Sequence, residues 1–238
     1  MSCRVLPRAR AFALCAALSG AIVACGPSEQ PRDSAAVTET AAPARDDSVK
    51  PSSAARPRIV VLGDSLTAGL GLARDKAYPT LLQQRVDAEG LNYEVVNAGV
   101  SGDTSAGGLS RLDWALEGDV RVLIVALGGN DALRGLPIEE LKGNLSKIIE
   151  RAQARGIQVI VAGMEAPPNF GQAYIVSFHQ IYPDLAKKYK IALVPFLLQG
   201  VAGIESLNQR DGIHPTAEGA RMVADNVWPV LQPMLKRS

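Results

Sequence analysis

Cysteine is nearly absent from this chain: the three copies are Cys3, Cys15 and Cys25, and none follows. Everything beyond residue 25 therefore lacks a thiolate nucleophile, a disulfide and any cysteine-based metal site. Aromatic residues make up only 5%, which disfavours a sugar site built on aromatic platforms. No excess of charge exists either, with 25 Lys and Arg against 24 Asp and Glu. That balance gives no electrostatic footprint for nucleic acid. Histidine is limited to His179 and His214. Asp211 and His214 alone do not make a metal site, and no third ligand is evident. Neither a metal nor an organic cofactor is expected. The one long apolar run, residues 11–24, is too short to span a bilayer comfortably.

That run has a different meaning. Arg4, Arg8 and Arg10 precede it, and it ends in Ile22-Val23-Ala24-Cys25-Gly26. A basic start, an apolar stretch and small residues before a cysteine resemble a bacterial lipoprotein signal. Residues 1–24 are expected to be removed and Cys25 to carry the lipid. Their loss takes three cations and no acid, leaving 22 basic against 24 acidic residues, or −2. Residues 25–57 then form a tether. Pro27, Pro31, Pro43, Pro51 and Pro57 stand among Ala, Ser and Thr with no aromatic residue. Such a stretch cannot bury enough apolar area to offset its ordering entropy. The expected location is the periplasmic face of a bacterial membrane, with the domain held by its lipid and working as a monomer.

From residue 58 the pattern changes. Ile59-Val60-Val61-Leu62 reads as a fully apolar strand, and residues 93–98, 120–127, 157–162 and 191–194 read as four more. Between them, Tyr78, Leu81, Leu82 and Val86 recur at helical spacing. So do Leu141, Leu145, Ile148, Ile149 and Ala152, with Pro137 suited to the first turn of that helix. Phe178, Ile181, Leu185 and Tyr189 mark a further helix, and a last one starts near Pro215. Trp114 and Trp228 read as packing residues. Continuous apolar strands alternating with amphipathic helices indicate a parallel sheet covered on both faces. The expected fold is α/β: a three-layer α/β/α, flavodoxin-like, doubly wound domain with a five-stranded parallel sheet. Sites in such sheets lie beyond the carboxyl ends of the strands.

Four polar loops follow those ends. Gly63-Asp64-Ser65 places a hydroxyl just after the first strand, with its own N–H facing the site. Gly102, in Val100-Ser101-Gly102-Asp103, can offer a bare backbone N–H close to a substrate. Gly128-Gly129-Asn130-Asp131 offers a side-chain amide. In Asp211-Gly212-Ile213-His214-Pro215 the aspartate can reach the histidine Nδ1–H within one turn, leaving Nε2 free to serve Ser65. Each fragment alone is an ordinary turn. Together they supply a nucleophile, a base, an orienting acid and hydrogen-bond donors.

The set GDSLTAGLG at 63–71, NAGVSGDT at 97–104, GGND at 128–131 and DGIHP at 211–215 resembles the SGNH (GDSL) hydrolase superfamily. The resemblance covers essentially all of residues 58–238. Within the superfamily the chain looks most like the bacterial periplasmic thioesterase, lysophospholipase and arylesterase subgroup. The resemblance implies Ser65 as nucleophile, His214 as general base and then acid, and Asp211 as the orienting acid. It also implies an oxyanion hole made by the Ser65 N–H, the Gly102 N–H and the Asn130 side chain. The implied substrates are aryl, short-to-medium acyl or lysophospholipid esters, and thioesters. The pentapeptide around Ser65 is not the Gly-x-Ser-x-Gly elbow of α/β-hydrolases.

Other residues have plainer expectations. Asp64, Asp103 and Asp131 are expected to hydrogen-bond loop N–H groups, and His179 to sit on a partly solvated helix surface. Residues 164–175 read as a shaped loop over the site, with Pro167 and Phe170 lining an acyl groove. Two rival functions fit the scaffold. One is a carbohydrate O-deacetylase using the same chemistry. The other is a lipid-anchored binding protein whose catalysis is silent.

Overall fold

The computed structural model describes residues 56–236. The expected signal peptide, Cys25 and nearly all of the tether lie outside the described residues. The domain begins with β1 (Arg58–Gly63), followed by the single turn α1 (Ser65–Ala68) and α2 (Tyr78–Ala88). Then come β2 (Glu94–Gly99), α3 (Ser105–Ser110), α4 (Leu112–Ala115), β3 (Val120–Ala126) and α5 (Gly129–Leu133). The chain continues through α6 (Ile138–Ala154), β4 (Gln158–Ala162), α7 (Gln172–Tyr189), β5 (Ala192–Val194) and α8 (Ala217–Leu231).

The five strands form one parallel sheet in the order β2-β1-β3-β4-β5. This is the flavodoxin-like doubly wound order expected from the sequence. Its central strands are apolar on both faces because helices cover both. Ile59 to Leu62 and Leu123 to Val125 are fully buried, as a sheet with two covered faces requires. Helix α2 packs against α8, and α6 packs against α3 and α7. Buried Leu82, Val86, Val223 and Val227 serve the first pair, and Leu141, Leu145, Ile148, Phe178 and Leu185 the second group.

Several expectations change on the fold. Pro137 does not sit inside the first turn of α6 but stands at its N-cap, whereas α8 starts near Pro215 as expected, at Ala217 with Thr216 as its cap. The Thr216 hydroxyl accepts from the Gly219 N–H there. Helix α7 opens at Gln172, so the last residues of the expected 164–175 loop are helical. Trp228 packs against the core, whereas Trp114 is 61% exposed on the short α4. An amphipathic pattern cannot be read over four residues, so nothing in the sequence showed which way that indole faces.

Order reversal between β1 and β3 puts a crevice at their carboxyl ends. The loops after β1, β2 and β3 meet there.

Candidate active site

The loop after β1 is fixed first. Asp64 caps α1, its Oδ1 accepting from the Leu66 N–H at 3.0 Å. Ser65 is thereby the first residue of a tight turn, its backbone carbonyl accepting from Gly69 and Leu70. Its hydroxyl stands 2.9 Å from His214 Nε2. His214 Nδ1 lies 2.7 Å from Asp211 Oδ2. The other oxygen of Asp211 accepts the N–H groups of Ile213 and His214, at 2.9 and 3.0 Å. One carboxylate therefore fixes both the turn and the ring. Those two N–H bonds, aided by the His214 ring, hold the Asp211 carboxyl down at about 2. The three side chains named from the sequence thus form a continuous relay.

The residues expected to supply donors, Ser65, Gly102 and Asn130, border one cavity. Gly102 is exposed at the crevice with φ of +85°, a conformation in which a side chain would be strained. Asn130, in the first turn of α5, donates its amide to Asp103 O at 3.0 Å and to Asp64 Oδ2 at 3.2 Å. Asp64 meets the expectation of a loop hydrogen bond and adds this second contact. It is only 3% exposed. Burial pushes its carboxyl up to about 6, opposed by the Leu66 N–H, by His214 and by the Asn130 amide.

The other two loop acids differ from each other. Asp131 accepts from Ser105 N and Ser105 Oγ, at 2.8 and 2.6 Å, as a loop anchor does. Asp103 instead pairs its carboxylate with Arg111 Nε at 2.6 Å. His179 lies on the exposed side of α7, its Nδ1 2.6 Å from Glu165, and does not reach Ser65.

A cavity of about 520 Å³ opens over these groups. Ser65, Gly102, Asn130 and His214 border it, and its remaining wall is mainly apolar: Leu70, Leu133, Pro167, Phe196, Leu198 and Ile213. Phe170 is not among the lining residues. Its ring packs on Tyr174 with centroids 5.4 Å apart, and it sits against Gly135. The second proline of the pair, Pro168, lines the cavity instead. Leu70, Leu133 and Ile213 are half-exposed there. Sequence reading missed them because Leu70 and Ile213 lie in irregular turns and Leu133 ends the five-residue α5, where no apolar period marks a buried face. Among the described residues no group of three or more His, Cys, Asp or Glu side chains is placed to hold a metal. No described helix is long and apolar enough to cross a membrane.

A hydroxyl, an imidazole and a carboxylate in hydrogen-bond contact beside an apolar cavity are a grouping that acyl transfer can use. Comparison with known proteins agrees. The model of the GDSL-like Lipase/Acylhydrolase family matches residues 61–222. Esterase TesA of Pseudomonas aeruginosa is 45% identical over 183 residues, 76% of this chain and 91% of that protein. The thioesterase 1/protease 1/lysophospholipase L1 of Escherichia coli strain K12 is 36% identical over 183 residues, 76% and 86% of the two chains. A crystal structure of TesA superposes with a TM-score of 0.72 at 45% identity, covering 75% of this chain and 99% of that one. A TesA chain of that extent thus folds as a unit by itself. The protein belongs to the GDSL-like lipase/acylhydrolase family and is an ester hydrolase of the SGNH type.

Proposed function

We propose that this hydrolase cleaves carboxylic esters by two-step acyl transfer through Ser65, His214 and Asp211. The observation that carries the reading is the unbroken relay from Asp211 Oδ2 through His214 to Ser65 Oγ, 2.7 and 2.9 Å long, at the floor of an apolar cavity. His214 Nε2 takes the Ser65 proton as Oγ attacks the carbonyl carbon, then gives it to the leaving oxygen or sulfur. Water enters by the same route and releases the acid. Asp211, held low in pKa, remains a carboxylate throughout and stabilises the imidazolium.

The developing oxyanion is received by the N–H groups of Ser65 and Gly102 and by the Asn130 amide. Both amide protons of Asn130 are engaged in the resting site. The 3.2 Å bond to Asp64 is the longer, and it is the one that yields to the oxyanion. Such a donor contributes about 3–4 kcal/mol to the barrier when it is aimed at the transition state.

The wall around Ser65 suits an uncharged acyl chain of short to medium length, flanked by Leu70, Leu133, Pro167 and Ile213. Aryl esters, lysophospholipids and acyl thioesters all present such a group. Phe170 lies away from the cavity wall, packed on Tyr174 and against Gly135. The chain layout is a removed segment 1–24, a lipidated Cys25 with a tether to residue 57, and the hydrolase domain from residue 58. Lipidation at Cys25 would place the hydrolase domain at the periplasmic face of a membrane. All the groups used come from one chain, so a monomer suffices.

The test is hydrolysis of p-nitrophenyl esters from acetyl to palmitoyl by the domain from residue 58, against Ser65→Ala. Loss of turnover by roughly three orders of magnitude or more in the variant supports the reading. A folded wild-type domain that turns over none of these esters or their thioester counterparts overturns it.

A further inference from the structure

We propose that Arg111 is a positioning residue for this reaction: it ties the nucleophile loop to the oxyanion loops and so sets the spacing of the donors. The proposal rests on the acyl-transfer reading above. Arg111 stands between α3 and α4, outside the cavity wall. Its side chain is 16% exposed. Nε donates to Asp103 Oδ2 at 2.6 Å and Nη2 to the Gly63 carbonyl at 2.9 Å.

Both partners lie one step from the chemistry. Gly63 leads into Asp64 and Ser65, and its carbonyl also accepts from the Val100 N–H at 3.0 Å. Asp103 follows Gly102, and its carbonyl receives the Asn130 amide at 3.0 Å. One guanidinium therefore links the loops after β1 and β2 directly, and the loop after β3 through Asp103. The packing makes room for this. A Cβ on Gly107 would stand 2.7 Å from Asp103 Oδ1, so a larger residue there would push the carboxylate off its partner.

Stability alone does not account for the arrangement. Arg111 Nη1 is buried with no partner among the described residues, and an unmet buried donor costs free energy. A buried ion pair is often no more stable than a well-packed apolar pair of similar volume. What the guanidinium adds is geometry. Its donors are fixed in one plane, so the distance from Gly63 O to the Asp103 carboxylate is set by a rigid fork. An ammonium on a flexible stem does not fix two partners in that way.

In the acyl-transfer reading Gly102 and Asn130 act on the oxyanion, whereas the acyl chain is flanked by Leu70, Leu133, Pro167 and Ile213, and the side-chain hydrogen bonds of Arg111 reach only Asp103 and Gly63. Loosening the fork should therefore weaken transition-state binding and leave substrate binding alone. An exposed neighbour provides the contrast. Arg134 donates to the Gly102 carbonyl at 2.7 Å, but from solvent, where such a contact is screened and weak.

The experiment measures kcat and KM for p-nitrophenyl butyrate in the domain from residue 58, with Arg111→Met, Arg111→Lys, Arg111→Ala and Arg134→Ala. Affinity for butaneboronic acid, which forms a tetrahedral anionic adduct with a serine hydroxyl, is measured beside it. The expected result for Arg111→Met is a kcat lower by roughly 10- to 100-fold with KM within about threefold, and boronate affinity lowered in step with kcat. Arg111→Lys recovers only part of the loss, millimolar guanidinium restores Arg111→Ala severalfold, and Arg134→Ala stays near wild type. An unchanged kcat in a folded Arg111→Met protein overturns the proposal. So does a kcat loss that tracks the unfolded fraction or that leaves boronate affinity intact. Should Arg111→Met not fold, Asp103→Asn decides, since it weakens the Nε bond and keeps the Gly63 bond. A kcat-only loss there supports the role, and none overturns it. An inactive wild type would instead count against the acyl-transfer reading itself.

Discussion

Asp64 is bound on both oxygens by the machinery that flanks it, Oδ1 by the Leu66 N–H and Oδ2 by the amide of Asn130, 66 residues away. Asp64, beside Ser65, and Asn130 thus hold each other across the site. Burial raises the Asp64 carboxyl from 3.8 to about 6. Between those values the folded protein binds a proton that the unfolded chain has lost. Folding stability from this group is therefore fully present below about 3.8 and declines as pH rises through about 6. The size is on the order of 3 kcal/mol. Asp64→Asn should remove this slope. Denaturant midpoints of wild type and variant, measured from pH 4 to 8, should diverge in the variant's favour up to about pH 6 and run parallel above it. Parallel curves throughout would show that Asp64 does not titrate in that window.

Asp211 predicts the opposite. Its carboxyl is held at about 2 by backbone N–H groups, so it stays ionised over the whole working range. No transition of the kcat/KM profile within that range then comes from Asp211. Replacing Asp211 by Asn should lower kcat by roughly 100- to 10,000-fold, because the imidazole loses its orienting acceptor. Steady-state kinetics check this, and an Asp211→Asn variant with the wild-type kcat would contradict the assignment.

Removing the Asn130 amide separates catalysis from stability. Asn130→Ala should reduce kcat by roughly 100- to 1,000-fold with little change in KM. It should also destabilise the fold by about 1–3 kcal/mol, since Asp64 and the Asp103 carbonyl each lose a donor. Steady-state kinetics and thermal unfolding of the same sample test both.

The loop over the cavity separates wall from support. Pro167 borders the cavity and Phe170 does not, so Pro167→Gly should shift the optimal acyl length directly. Phe170→Ala should act through the Tyr174 stack, lowering thermal stability by roughly 1–3 kcal/mol and blurring chain-length preference less. A chain-length series on both variants ranks the two effects.

How much of this was legible beforehand follows from element length. The strands at 58–63 and 120–126 are runs of buried aliphatics, and α6 repeats its apolar face over four turns. Both periods are visible in a bare sequence, and with them the sheet and its loop-bearing end. The turns α1, α3, α4 and α5 have four to six residues, too few to display a period, so the exposure of Trp114 was hidden. Ser65, Asp211 and His214 were readable because the acid and base lie three residues apart and the hydroxyl follows a strand. Arg111 was not. It is one of many arginines, and only the fold brings it to Gly63 O, 48 residues away.

The turn from Asp211 to His214 has a consequence for how the site is lost. The carboxylate binds the backbone of its own turn and the ring of its own histidine. Acid and base are thus a single local chelate, whose assembly spends almost no loop-closure entropy. Only the contact from His214 to Ser65, 149 residues apart, has to be won by the fold of the whole domain. Local opening of the C-terminal segment therefore withdraws both partners at once. Ser65 then loses the imidazole and the carboxylate that orients it in one step.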